Sequence, residues 1–378
     1  MVVDKIKKIF LERIIIPRAF IIDKAGFVIL KYSHGGYDVF MRELIMSEDF
    51  FVELEKRLCE TKDGKQLLYN IGKDFGWHFA RDSYFYHGEG SENDLIKHVR
   101  DTILFFNTMY ASVMDPKIIS EELIELHLKG MVICRKNGLG YLMTHGAWTG
   151  CYAYLANNPK IEGTQIKCQG SGDDHCVLIC AEPEFIKQKY PDAEILTAEI
   201  TEVKKDDQQY KEMNKIRPID EKLDSLNDMV DIGLFGYHGG LLEHKEHRSE
   251  RYFPVDCSLI HLLECRAKSF GNAEQILFDV AFNFGYRITK DVKIRDPQLY
   301  IRNYFASLGW GDIKVFKDNS KYSVVADYVP WSEFLTNYDF PVLRGLVSGL
   351  VSGLSRKRIL FNETSYSILE GFLSVRFY

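Results

Sequence analysis

Apolar and polar residues change their rhythm several times along the chain, and each change predicts an element. From residue 10 to 32, Ile, Phe and Val alternate with polar residues, the period of early strands, and Gly35-Gly36 reads as their breaker. Helical spacing follows over Val39 to Leu58 (Phe40, Leu44, Phe50, Phe51, Leu54), over Lys65 to Asp82 and over Leu95 to Met114. Between Ile118 and Leu142 the pattern returns toward alternation, with Asn137-Gly138 as a turn. Gly146 and Gly150 stand four apart, the small face of a helix that packs closely on a neighbour. Cys168 then ends a short alternation, a Gly/Asp-rich turn follows, and Cys176 opens the strand Cys-Val-Leu-Ile-Cys. A hairpin closed there brings the two sulfurs side by side.

The pattern then recurs. Leu67-Leu68-Tyr69, Phe75-Gly76-Trp77 and Asp82 correspond, 209 residues later, to Ile276-Leu277-Phe278, Phe284-Gly285-Tyr286 and Asp291. Near the C-terminus Gly345 and Gly349 repeat the glycine spacing, and Glu363, Tyr366 and Ser374 fall where Gln165, Cys168 and Cys176 would be. Two markers in one order imply two copies of one unit. The expected organisation is a first copy over residues 1–183, a charged connector over 184–250 and a degenerate second copy over 251–378.

Composition narrows the class. Of the 378 residues 46% are hydrophobic and 13% aromatic, which argues for a folded chain with a large core. The net charge of -6 is uneven: residues 251–378 carry 16 Lys/Arg against 13 Asp/Glu, the rest 32 against 41. An anionic partner is therefore better placed on the C-terminal third. No apolar run reaches the roughly 20 residues of a membrane span, and the N-terminus has no signal-peptide pattern, so a cytoplasmic protein is expected. Eight cysteines at irregular spacing read as reduced thiols with at most one metal or redox site.

The stretch His145 to Cys180 resembles the 4-vinyl reductase domain family of small-molecule-binding domains. That family shows a Cys, a Gly-x3-Gly pair five residues on, then Glu-x2-Cys-x7-Cys, and in some members the Cys and Glu residues hold zinc. Gly146, Gly150, Cys168 and Cys176 match; Tyr141 stands in place of the first Cys and Gln165 in place of the Glu. The resemblance implies an α+β fold of two such domains, each with helices followed by an antiparallel sheet, pairing as a pseudo-dimer within one chain. It also makes Cys168 and Cys176 candidate zinc ligands; since Glu363, Tyr366 and Ser374 offer few donors, the metal is expected in the first copy only, where His145, Cys151, His175 or Cys180 could complete the set. Two free thiols or a disulfide between neighbouring strands are the competing readings.

Ordinary catalytic signatures are missing: there is no phosphate loop, no Gly-x-Ser-x-Gly and no His-Glu-x2-His. The expected protein is more a binder than an enzyme, regulatory or sensory, taking a small apolar ligand, a protein partner or both. Trp77, Tyr141 and Trp148 are the candidate pocket residues. Trp310, Trp331 and the basic run Arg356-Lys357-Arg358 are the candidate partner surface, because aromatics and arginine anchor interfaces. Two alternatives stand beside it: a scaffold subunit of a nucleic-acid-handling complex, meeting nucleic acid through a partner, and an enzyme of the vinyl-reductase kind.

Overall fold

The computed structural model describes residues 20–34, 37–83, 92–110, 112–139, 142–203, 219–220, 222–238, 241–244, 250–319, 321–334, 339–369 and 372–378. Gly35-Gly36 and Tyr141 lie outside them. The chain mixes helices with antiparallel sheets. Strands β1 (Phe20–Lys24), β2 (Phe27–His34) and β3 (Tyr37–Ser47) lead into helices α1 (Glu48–Cys59), α2 (Gly64–Asp82) and α3 (Glu92–Met109). There follow β4 (Val113–Ile119), β5 (Leu123–Lys129), the one-turn α4 (Cys134–Asn137), α5 (Leu142–Leu155), β6 (Glu162–Lys167), β7 (Cys176–Ala181) and α6 (Pro183–Lys189). Within residues 184–250 the chain also forms α7 (Leu226–Asp231), β8 (Phe235–His238) and β9 (Leu241–His244). The rest comprises β10 (Arg251–Asp256), α8 (Cys257–Ala267), α9 (Ala273–Thr289), α10 (Pro297–Ser307), β11 (Asp312–Asp318), β12 (Lys321–Asp327), α11 (Pro341–Ser355), β13 (Thr364–Leu369) and β14 (Phe372–Phe377).

From β3 and again from β10 the order is the same: strand, three helices, hairpin, a short turn, helix, hairpin. Each half owns a four-stranded sheet, β4-β5-β7-β6 and β11-β12-β14-β13. The opening strands pair antiparallel at the centre of a six-stranded sheet, with Ser47 opposite Tyr252 and Glu43 opposite Asp256. Both then enter a helix through a capped end, Ser47 accepting from the Asp49 amide and Asp256 from the Ser258 amide.

The glycines set the helix pairs. A Cβ on Gly150 would lie 2.0 Å from the Lys73 carbonyl oxygen, and one on Gly349 2.1 Å from that of Phe282, so only glycine allows these backbones to touch. Lys73 and Phe282 are themselves 209 residues apart, and Phe75 and Phe284 both sit on helices, α2 and α9. Each half also buries one glutamate under the N-terminus of its glycine helix. Glu55 accepts from the Met143 amide at 3.0 Å and from Asn137 at 2.5 Å; Glu264 accepts from the Val342 amide at 3.1 Å and from Trp331 Nε1 at 2.8 Å.

Two expectations need correction. Residues 39–47 belong to a strand rather than a helix. Met41 to Ser47 are all buried, so both faces are covered and Phe40 and Leu44 imitate a helical stripe. Trp310 and Trp331 are core residues, 2% and 0% exposed, meeting edge to face with ring centres 5.6 Å apart. Their size made them contact candidates, and that same apolar area is what draws them inside. Among the described residues no helix is long and apolar enough to cross a membrane.

Candidate metal centre and ligand cavity

Three sulfurs meet where β6, β7 and the turn before α5 converge. Cys134 Sγ lies 3.2 Å from Cys176 Sγ and 3.6 Å from Cys168 Sγ, and all three thiols are buried. Such spacings exceed the roughly 2.05 Å of a disulfide. They lie near the roughly 3.8 Å that two sulfurs keep on a tetrahedral ion with bonds of about 2.3 Å. Amide donors surround them: the Gln169 backbone N–H points at Cys176 Sγ at 3.2 Å and the Gln165 side chain at Cys134 Sγ at 3.5 Å. Such N–H···S contacts stabilise thiolate charge.

The cluster shares its protons unevenly. Hydrogen bonds from Cys134 and Cys176 hold the Cys168 thiol well below the ordinary thiol range. The bond to Cys168 pushes Cys134 far up. Cys176 is pulled down by Cys134 but pushed up by Cys168 and by burial, to about 11. Three clustered cysteine sulfurs are a soft donor set, and they fit a thiophilic ion with three protein ligands and a fourth position open.

Cys134 is delivered by a strained turn. Its amide donates to the Val132 carbonyl at 2.8 Å, closing a three-residue turn about Ile133, whose φ of 69° and ψ of -64° are costly for a β-branched residue. Surrounding bonds impose it. Buried Glu48 accepts from the Ile133 amide and from Arg135 Nε, both at 2.9 Å, and Lys136 pairs with Asp49 at 2.7 Å. At the far end Asn137 reaches Glu55, and Gly138 takes the left-handed φ of 67°.

Met131, Val132 and Ile133 form one wall of a cavity of about 70 Å³. Phe75 and Phe79 of α2, Phe106 of α3 and Ala147, Trp148 and Cys151 of α5 line it from the first half; Phe253, Val255 and Leu259 close it from the second. Trp148 therefore stands where the sequence places a pocket residue. Trp77 does not: it is half-buried on the outer side of α2, edge-on to Tyr154 with ring centres 5.2 Å apart.

The other expected ligands are dispersed. His175 pairs with Asp174 and stacks on His127, ring centres 5.0 Å apart. Cys180 shares a face with Cys176 but, four residues along β7, meets Thr149 at 3.6 Å instead. Cys151 faces the cavity, and burial pushes both Cys151 and Cys180 up to about 12. His145 packs on the Tyr69 ring beside a buried Lys73–Glu162 ion pair of 2.7 Å, and burial takes its imidazole down to about 4. In the second half Ser374 donates to Asp327 at 2.7 Å, and Tyr366 is half exposed. Arg356, Lys357 and Arg358 are exposed.

Sequence reasoning missed Cys134. It stands seven residues ahead of Tyr141, and only the Asn137-Gly138 turn, which folds the chain back toward the hairpin, signals it. No protein-family model and no curated protein matches this chain.

Proposed function

We propose that this chain is a non-catalytic, regulatory ligand-binding protein, formed of two 4-vinyl-reductase-like copies paired as a pseudo-dimer, and that its ligand is a compact apolar molecule. The observation that carries this is the cavity, partly open, lined by aromatic and aliphatic side chains of both halves and almost without polar groups. Apolar cavities stay dry and take apolar guests; one of about 150 Å³ takes benzene or xenon. A volume of about 70 Å³ suits xenon as it stands and a single ring once one wall gives. The wall that gives is the strained turn at Ile133.

Zinc is held by Cys134, Cys168 and Cys176 in this reading, and its role is to fix that turn. Cys134 is covalently next to Ile133, so whatever anchors the sulfur sets the wall. Reduced, buried thiols suit a cytoplasmic protein.

Thermal unfolding under xenon and in benzene or naphthalene tests the cavity. Both xenon and benzene should raise the melting temperature, benzene by about 2 °C at ten times its dissociation constant, while naphthalene does nothing. Thr144→Phe, which fills the cavity from α5, should remove the benzene shift. No shift from either guest, or the same shift in the filled variant, would overturn the reading.

A further inference from the structure

A strap covers one face of α2. Residues 194–202 run extended along it, parallel to the helix: Gln66 donates to the Thr197 carbonyl at 2.8 Å, Lys73 to that of Ala198 at 2.8 Å, and His78 meets that of Thr201 at 2.7 Å. The Thr201 amide returns a bond to Asp74 at 2.8 Å, and Ala198 N–H one to Glu162 at 3.0 Å. The strap is acidic, and its ends sit on cations, Glu194 near Lys65 at 3.5 Å and Glu202 on Arg81 at 2.9 Å.

The matching face of α9 carries no strap among the described residues. Shifted by 209, Gln66, Lys73, Trp77 and His78 become Gln275, Phe282, Tyr286 and Arg287. Gln275 bonds Asp279 as Gln66 bonds Asn70. Yet Lys73 is sealed at 0% exposure, whereas Phe282 is half-buried and Tyr286 43% exposed. Phe278, Phe282 and Tyr286 stack along the helix at 6.4 and 6.3 Å, with Arg358 over Phe282. Arg287, Lys290 and Arg358 make no ion pair among the described residues. At its end the face opens beside Arg287 and Lys290 into a cavity of about 700 Å³ lined also by Tyr252, Tyr300 and Tyr304 and by the carboxylates of Glu250 and Asp291.

We infer that this face binds an extended acidic segment of another protein, laid along α9 as the strap lies along α2. The fold supplies the track, Arg287, Lys290 and Arg358 offer charge partners to acidic residues, and the stacked aromatics supply apolar contact area. A second copy is a poorer occupant, because each copy's strap is already bonded to its own α2.

The probe is a fluorescein-labelled peptide with the sequence of residues 191–203, titrated into the full chain by anisotropy. Binding in the micromolar range is expected, weakened at least tenfold in the Arg287→Glu/Arg358→Glu variant and unchanged in Lys65→Glu/Arg81→Glu. Absence of binding, or loss in the second variant instead of the first, would overturn it. So would concentration-dependent self-association in sedimentation that the first variant abolishes, since the occupant would then be a second copy.

Discussion

Ile133 and Cys134 concentrate the local physics of this molecule. A β-branched residue at positive φ costs of order 1–3 kcal/mol and persists where its surroundings over-determine it. Here Glu48, Glu55 and Asp49 hold the turn on three sides. The outcome is a third sulfur within reach of the hairpin cysteines. Cys134→Ser should therefore lower zinc affinity at least tenfold and leave the cavity wall free to relax, whereas Cys180→Ser should leave zinc affinity unchanged. Chelator competition on both variants measures it; equal affinities in the two would remove Cys134 from the metal set. The hairpin pair was legible in the sequence because a two-residue period and a Gly/Asp turn are local signals. Cys134 was not, since its position depends on a bulge of backbone held by distant carboxylates.

At the scale of elements, the repeated unit is a close helix pair clasped by a buried glutamate. Its glycines were legible, because a spacing of four names a helix face whatever the context. The strand over residues 39–47 was hidden by burial on both faces, and the core placement of Trp310 and Trp331 by a lack of any marker separating a buried indole from a contact one. The clasp makes a pH prediction. Burial raises Glu264 to about 8 against two hydrogen bonds that lower it, and raises Glu55 to about 7. A carboxyl whose folded pKa lies above its unfolded value gives its full stability below pH ~4.5 and loses it as pH climbs to the folded pKa. Glu264→Gln does not titrate, so it should gain on wild type steadily between pH 5 and pH 8, by roughly 4 kcal/mol at the upper limit. Chemical unfolding of both proteins at the two pH values reads this directly; a constant gap would mean that Glu264 is already ionised at pH 5.

On the whole-molecule scale, two halves share one order of elements and differ in what they carry. In the first, sulfurs, an apolar cavity and a covering strap lie together. In the second, Tyr366 and Ser374 stand on the matching strands, and among the described residues no strap lies on the matching helix face. The cavity is walled by both halves, so neither makes it alone. In the proposed reading, cavity and thiol cluster form one site joined through Met131 to Cys134, and binding linkage states what this requires. If zinc fixes the wall that must give for benzene, benzene must loosen zinc by the same factor by which zinc loosens benzene. Zinc affinity by chelator competition, with and without saturating benzene, is the most direct measurement. Benzene should weaken zinc binding at least fivefold, an effect that disappears in Thr144→Phe; an affinity indifferent to benzene, or tightened by it, would contradict one joined site.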